Sequence, residues 1–285
     1  MTNEQHILEM KKFANDIRIL AIKMIGARGA GHVGGCMSLA ETMSVLYNGM
    51  MRVRPEDPKW PDRDKIVVSK GHAGPIMYAA LAKKGFFPMD WLETLNLPGT
   101  KLPSHTDRLK TPGVDMTTGS LGQGSSTACG LAQSEKILQK DTHVFLILGD
   151  GEINEGQVWE AMMYASSHHL TNLIVMVDSN KAQVDGFCKD VCDMGDLAAK
   201  FESFGLKVIN VEDGNDVAQV WNALEEAKKG FDRPVCVLLN TIKGKDLPIY
   251  EGDPACHYIG VSAEQLASSV AHLEEIGRNL EKEGK

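Results

Sequence analysis

The stretch GDGEINEGQVWEAMMYASSHHLTNLIVMVDSN, residues 149–180, decides the fold of this chain of 285 residues. It opens with Asp150 directly after the apolar run VFLIL (144–148), and it closes with Asn180 shortly after a second run, LIVMV (173–177). Runs that are apolar throughout are typical of strands buried on both faces of a sheet. The segment between them has the length of one helix, so the stretch predicts a strand–helix–strand unit with parallel strands.

Short apolar runs alternate with helical segments along most of the chain. Further strands are predicted at 66–68, 208–210 and 235–239. Helices are predicted at 74–84, 125–138, 157–168, 196–204 and 216–229. This alternation predicts an α/β fold, with a mostly parallel sheet and helices on both of its faces.

The two ends of the chain both have helical patterns. Apolar residues at helical spacing predict a helix over 4–25, and a second helix is predicted to follow Ser262, which has capping-box spacing with Gln265. No internal repeat, low-complexity tract or linker interrupts the sequence, so we expect a single domain over residues 1–285.

Charge, hydropathy and cysteine content argue against a nucleic-acid-binding, membrane-spanning or disulfide-bonded secreted protein. The formal net charge of −8 disfavours a nucleic-acid-binding protein, which needs a basic face. No window approaches the ~18 apolar residues of a membrane span, and the charged N-terminal segment lacks the apolar core of a signal peptide. Six dispersed cysteines favour reduced thiols and a cytoplasmic protein. Cys188 and Cys192 have the spacing of half a zinc site, but no second pair of ligands follows them.

Asp150 and Asn180 each follow a predicted parallel strand. The carboxyl ends of parallel strands meet at one edge of a sheet, where ligands of open α/β sheets bind. A carboxylate and an amide oxygen there suit Mg²⁺ or Ca²⁺ better than zinc, with a diphosphate and water completing the coordination. Gly149 and Gly151 let backbone amides approach phosphates closely. The alternative is structural, with GDG forming a turn and Asn180 capping a loop.

Five segments of the sequence resemble the transketolase family. They are GDGEINEGQVWEA…VDSN, GHVGGCMSLAETMSVLYNGMMRVRPEDP (31–58), DRDKIVVSKGHAGPIMYAALAKKGF (62–86), TTGSLGQG (117–124) and TIKGK (241–245) with the later His257. They follow the family's order over nearly the whole chain. The resemblance implies the thiamine-diphosphate-binding fold, with thiamine diphosphate and Mg²⁺ (or Ca²⁺ or Mn²⁺) as cofactors.

The resemblance covers only the first of the three domains of a complete transketolase. It therefore implies the N-terminal, diphosphate-binding subunit of a split transketolase. The partner would be a C-terminal transketolase subunit with the pyrimidine-binding and third domains, in an α2β2 heterotetramer. The implied reaction transfers a two-carbon ketol unit from a ketose phosphate to an aldose phosphate, as in the pentose phosphate part of carbohydrate metabolism. Neither a nucleic acid nor a membrane is expected as a partner.

Proton transfers to sugar hydroxyls need groups that titrate near neutrality, which favours histidine. The resemblance places His32, His72, His105 and His257 around the reactive carbon and the donor sugar. It places Glu155 in an acidic network at the subunit interface. The implied cofactor-binding residues are His72, Gly119, Ser120, Leu121, Asp150, Gly151, Glu152, Asn180 and Lys243. The implied metal ligands are Asp150, Asn180 and the backbone carbonyl of Ala182.

Three positions depart from the family pattern. Val33 and Thr106 stand where proline is usual, and Tyr258 stands where glycine is common. All three neighbour the predicted donor-sugar histidines, so they leave open a modified or branched sugar as the donor.

Two alternatives to a transketolase stay open. One is another thiamine enzyme, of the deoxyxylulose-phosphate synthase or 2-oxo acid dehydrogenase type, and the NEG and SKGHA segments favour a transketolase over it. The other is a non-catalytic, cofactor-binding regulatory subunit. The four histidines in matching motifs argue against that interpretation, because a scaffold has no use for them.

Overall fold

The computed structural model describes residues 2–284, and its elements follow the predicted alternation of strands and helices. The helices are α1 (Asn3–Gly26), α2 (Gly34–Met37), α3 (Ala40–Val45), α4 (Gly74–Lys84), α5 (Gln123–Ile137), α6 (Gly156–Ser167), α7 (Cys188–Val191), α8 (Leu197–Ser203), α9 (Val217–Lys228) and α10 (Ala263–Glu283). The strands are β1 (Ala30–Gly31), β2 (Lys65–Val68), β3 (Val144–Gly149), β4 (Leu173–Ser179), β5 (Ala182–Gln183), β6 (Gly186–Phe187), β7 (Lys207–Val211), β8 (Val235–Asn240) and β9 (Ile259–Gly260). A short π-helix lies at Leu46–Met50, and short 3₁₀ helices lie at Gly71–Ala73, Met89–Thr94, Glu152–Asn154 and Pro254–Cys256.

Five strands form one parallel sheet in the order β2-β3-β4-β8-β7. Its central strands are buried along their whole length, as the uninterrupted apolar runs predict. Alternate residues of each strand pack into different cores. One core contains α1, α3, α4 and α9, and the other contains α5, α6 and α8. The predicted fold class, a parallel sheet with helices on both faces, is confirmed.

The N-terminal and C-terminal parts of the chain meet at two places. Helix α1 packs along α10, where the Asn15 side chain donates a hydrogen bond to the Leu273 carbonyl over 3.0 Å. Strands β1 and β9 form a small antiparallel ladder, in which Gly31 pairs with Ile259. The ladder ends beside His32 and His257, so it fixes the positions of two predicted site residues.

Helix caps set several of the observed boundaries. Ser262 and Gln265 form the predicted capping box at the start of α10, and Asp196 and Asp216 cap α8 and α9 through their side chains. Gly85 ends α4 in the left-handed conformation. Among residues 2–284, no helix combines the length and apolar character needed to cross a membrane.

Candidate active site

A cavity of about 160 Å³ opens beyond the carboxyl ends of β3 and β4. The turn after β3 and the turn after β4 supply its floor, and the backbone amide of Asp150 donates to the Asp178 carbonyl over 3.2 Å. Residues that the sequence predicted for the cofactor, the metal and catalysis line it, namely His72, Leu121, Asp150, Gly151, Glu152, Asn180, Ala182, Lys243 and His257. The fold therefore gathers in one cavity residues from motifs that are far apart in sequence.

Asp150 and Asn180 are both buried at this edge of the sheet. The two Asp150 carboxylate oxygens accept hydrogen bonds from the backbone amides of Gly151 (2.9 Å) and Lys181 (2.5 Å). Burial, together with the nearby negative charge of Asp178, raises the pKa of the Asp150 carboxyl to about 6. A cation bound beside Asp150 would relieve both effects.

Two lysine ammonium groups face the cavity from different loops. Lys70 and Lys243 are each only 2% exposed. The Lys243 Nζ donates to the Gln183 carbonyl over 3.1 Å, whereas Lys70 forms an ion pair with Asp178. Burial lowers the pKa of Lys243. Positive groups of this kind favour an anionic ligand, because a bound anion offsets the cost of their burial.

Four histidines meet at one end of the cavity. The His32 ring centroid lies 5.3 Å from that of His72, 5.4 Å from that of His105 and 5.3 Å from that of His257. His72 and His257 are 4.8 Å apart. Tyr258 packs edge-on against His32 with 4.9 Å between centroids. The four histidines that the sequence singled out thus form one cluster around His32.

Burial lowers the pKa of all four imidazoles, which favours their neutral form. Burial is the largest cause in each case, and it lowers the pKa of His32 to about 4 and that of His257 to about 3. The pKa values of His72 and His105 are lowered as well, and the Lys70 charge adds to the effect on His72. A neutral imidazole has one N–H donor and one acceptor nitrogen, so each ring can donate a hydrogen bond to one sugar hydroxyl and accept one from another. The expectation of groups that titrate near neutrality is not met by His32 and His257, because burial moves their pKa values well below that range.

The loop TTGSLGQG (117–124) lies between the histidines and the GDG turn. Its backbone packs so closely on Gly71 that a Cβ atom there would lie 2.7 Å from the Gly119 nitrogen. Gly119 packs against His105 in turn. Ser120 is exposed at the tip of this loop and, unlike Leu121, does not line the cavity. The roles of Gly119 and Ser120 toward a cofactor stay predictions.

The two glutamates of the GEINEG segment have different surroundings. Glu152 is buried, and its carboxylate accepts hydrogen bonds from the Gly122 amide (2.9 Å), the Gly149 amide (3.0 Å) and the Ser69 hydroxyl. It therefore ties the 117–124 loop to the GDG turn. Glu155 is exposed at the N-terminal end of α6, outside the cavity. Its predicted position at a subunit interface stays a prediction.

The chemistry of the donor set fits a diphosphate with a divalent cation. Among residues 2–284, no three histidine, cysteine, aspartate or glutamate side chains gather into a metal-binding group. A cation here would take a mixed set of oxygens from the Asp150 carboxylate, the Asn180 amide and the Ala182 carbonyl. Mg²⁺ commonly completes such a set with phosphate oxygens and water. Lys70 and Lys243 would offset the remaining charge of the phosphates.

Lys70 and Asp178 were not predicted from the sequence as functional candidates. Both lie inside motifs of the family resemblance, SKGHA and VDSN, next to residues that were predicted. Neither residue type reveals by itself that it is buried. Their importance depends on an ion pair between β4 and the loop after β2, which only the folded chain brings together.

Comparison with known proteins places the chain among transketolases. The family described as "Transketolase, thiamine diphosphate binding domain" matches residues 9–275. A relative from Clostridium sp. (strain MSTE9), the 6-deoxy-6-sulfo-D-fructose transketolase subunit SqwG, is 45% identical over 96% of this chain and 99% of its own. An apulose-4-phosphate transketolase subunit of Actinobacillus succinogenes is 35% identical over 94% of this chain and 96% of its own.

Solved transketolases have the same fold over nearly the whole chain. The transketolase of Campylobacter jejuni superposes with a TM-score of 0.88 at 29% sequence identity, covering 96% of this chain. This chain spans only 43% of that protein. It therefore corresponds in length to the curated subunits and to less than half of the solved enzyme.

Proposed function

Because the chain belongs to the transketolase family, as its thiamine-diphosphate-binding part, we propose that it is the N-terminal subunit of a two-chain transketolase. The assembled enzyme would transfer a two-carbon ketol unit from a ketose donor to an aldose acceptor. One observation supports this proposal above all: a cavity suited to a diphosphate and a cation adjoins a cluster of four neutral histidines at the same edge of the sheet.

Different residues of the cavity would bind the metal ion and the phosphates of the cofactor. Asp150, Asn180 and the Ala182 carbonyl would bind Mg²⁺, while Lys70 and Lys243 would bind the phosphates. Thiamine diphosphate supplies the electron sink that lets the bond next to the donor carbonyl break. The contribution of the protein is to fix the position of the cofactor relative to the histidines.

The histidine cluster would handle the protons of the sugars. Breaking the donor bond turns a hydroxyl into an aldehyde, so the hydroxyl proton must leave. Addition to the acceptor aldehyde then requires a proton for the new hydroxyl. A neutral imidazole can accept the first proton and return the second one. His105 and His257, which both pack against His32, are the residues that we assign to these steps. The negative charge of a bound diphosphate would raise the lowered pKa of His257 toward the range that proton transfer needs.

We propose that activity requires a second chain. The relatives that this chain covers almost completely are named as subunits, and the chain spans less than half of the solved transketolase. The missing half would come from a C-terminal transketolase subunit in an α2β2 assembly. Glu155, exposed beside the 117–124 loop, would face that subunit.

The partner requirement is tested by titration. We expect the purified chain to show no measurable ketol transfer, and activity should rise to a plateau as a C-terminal subunit is added in the presence of thiamine diphosphate and Mg²⁺. The Asp150→Ala chain mixed with the same subunit is the matched control. Steady turnover by the isolated chain would refute the two-chain proposal.

The donor is proposed to be a modified ketose. The relative that is 45% identical is named for 6-deoxy-6-sulfo-D-fructose, and this chain departs from the family pattern at Val33, Thr106 and Tyr258, beside the histidine cluster. A donor panel should therefore compare 6-deoxy-6-sulfo-D-fructose with fructose 6-phosphate and xylulose 5-phosphate. A higher kcat/KM for either phosphate would contradict this choice of donor.

Tyr258 is predicted to influence the choice of donor. The residue is 59% exposed, and its ring packs against His32 and does not line the cofactor cavity. We expect Tyr258→Gly to change the ratio of kcat/KM values between two donors by about 10-fold, because one packing contact typically contributes that much discrimination. The Kd of thiamine diphosphate should stay the same.

The variant Tyr258→Phe separates the ring of Tyr258 from its hydroxyl. A donor preference that is unchanged in both variants would show that Tyr258 takes no part in selecting the sugar.

A further inference from the structure

Asp178 has an unusual set of partners for a residue outside the cavity. It is 0% exposed, and its Oδ2 atom accepts hydrogen bonds from the Lys70 ammonium (2.5 Å) and the Ser38 hydroxyl (2.7 Å). The Asn180 amide nitrogen lies 3.2 Å from the same oxygen, and the Thr241 hydroxyl donates to Oδ1. These donors come from four different parts of the chain. A single buried carboxylate therefore joins the segments that surround the cavity.

The first consequence concerns the orientation of the Asn180 amide. A carboxylate only accepts hydrogen bonds, so the NH₂ group of Asn180 must face Asp178, and the Oδ1 atom must point the other way. The NH₂ group also donates to the Ser38 hydroxyl over 3.4 Å, and Oδ1 accepts from the Ala182 amide over 3.2 Å. Asp178 thus selects the amide orientation in which Oδ1, through the lone pair that the Ala182 amide does not use, can bind a cation.

The second consequence concerns Lys70. A buried ammonium without a counter-ion is strongly destabilising, and Asp178 is the carboxylate that pairs with this one. The paired ammonium lies against Gly35, where an added Cβ would come within 3.1 Å of Nζ. Asp178 therefore holds the Lys70 ammonium at the cavity wall, in the space that is open because residue 35 is a glycine.

We propose that Asp178 is the positioning residue of the cofactor site: it orients the Asn180 amide toward the metal and holds the Lys70 ammonium at the phosphates. This role rests on the proposed function, because it concerns the thiamine diphosphate and Mg²⁺ that the cavity would hold. Asp178 does not line the cavity, so it acts through Asn180 and Lys70 and not by direct contact.

The test compares two buried lysine–carboxylate pairs. Asp178→Asn removes the charge beside the cavity. Glu135→Gln removes the charge of a pair at the amino ends of the strands, away from the cavity. There Glu135 forms an ion pair with Lys65 (2.7 Å) and accepts a hydrogen bond from the Thr142 hydroxyl (2.6 Å). Both variants are expected to lower the melting temperature. Calorimetric titration of the assembled subunits with thiamine diphosphate and Mg²⁺ should then separate them.

We expect Asp178→Asn to raise the Kd of the cofactor on the order of 10–100-fold, the usual range for a group that orients a metal ligand. At saturating cofactor and Mg²⁺, its kcat should stay close to that of the wild type. Glu135→Gln should bind the cofactor normally. Equal Kd values in the two variants, or a loss of kcat that saturating cofactor does not restore, would overturn the proposal.

Ser38→Ala provides a second variant if Asp178→Asn fails to fold. It deletes one hydroxyl that bonds both Asp178 and Asn180, and we expect a Kd increase of about 10-fold from the lost hydrogen bond. An unchanged Kd in folded Ser38→Ala would count equally against the role of Asp178. Wild-type subunits that bind no thiamine diphosphate would instead refute the proposed function, so the two failures are distinguishable.

Discussion

Replacing Asp150 with alanine is expected to lower the activity of the assembled enzyme by more than about 100-fold at ordinary Mg²⁺ concentrations. Groups that merely orient a metal ligand contribute about 10–100-fold, and a direct charged ligand should contribute more. Asp150 is 6% exposed, and both of its carboxylate oxygens accept hydrogen bonds from backbone amides, which fix the carboxylate in the cavity. Activity and calorimetric binding of thiamine diphosphate with Mg²⁺ should fall together.

Asp185→Ala is the matched control for this substitution. Asp185 also lines the cavity but is exposed, so its removal changes the local charge equally without deleting a buried ligand. We expect Asp185→Ala to keep most of the activity. If the two variants lost activity to the same extent, Asp150 would act through the general electric field and would not be a metal ligand. Normal activity in Asp150→Ala would exclude the metal site altogether.

The second large effect is expected from the histidine cluster. His105→Ala should lower kcat/KM by about 10²–10⁴-fold, the range for loss of a group that transfers a proton in the transition state. His105 does not line the cofactor cavity, so the Kd of thiamine diphosphate should hardly change. His257→Ala should show the same loss in kcat/KM together with weaker cofactor binding, because His257 lines that cavity. Steady-state kinetics at saturating cofactor would measure both losses.

His272→Ala controls for the general effect of deleting an imidazole. His272 lies in α10, away from the cluster, and its variant should have normal kinetics. Melting temperatures decide whether the loss is catalytic. If His105→Ala lost stability but kept normal specific activity per folded complex, the histidine would be structural and its proposed role in proton transfer would be wrong.

Local sequence patterns predicted most of the regular elements. The five strands of the main sheet were expected within two residues of their observed ends, because each is an apolar run bounded by polar residues. The parallel arrangement then placed Asp150 and Asn180 at one edge, and both do line the same cavity. Short elements such as α2 and α3 were missed, because helices of four and six residues are too short to show a periodic pattern.

The distances between site residues could not be predicted from local patterns, because they depend on contacts between segments that are far apart in sequence. The resemblance to a family grouped the four histidines, but no local pattern gives the ring distances around His32. These distances depend on the pairing of β1 with β9, which are strands of only two residues. The bonds of Asp178 likewise join residues as distant in sequence as Ser38 and Thr241. Spacing along the chain carries no information about such contacts.

The pairing of β1 with β9 also sets the order in which the site can fold. Gly31 and Ile259 are about 230 residues apart, and closing a flexible loop of that length costs about 5 kcal/mol in chain entropy. Hydrogen bonds of about 1 kcal/mol each cannot offset this cost in a ladder of two residue pairs. The ladder therefore depends on larger contacts, such as the packing of α1 along α10, that hold its two strands near each other. We therefore expect His257 to take its place beside His32 only in a chain whose two ends are already packed together.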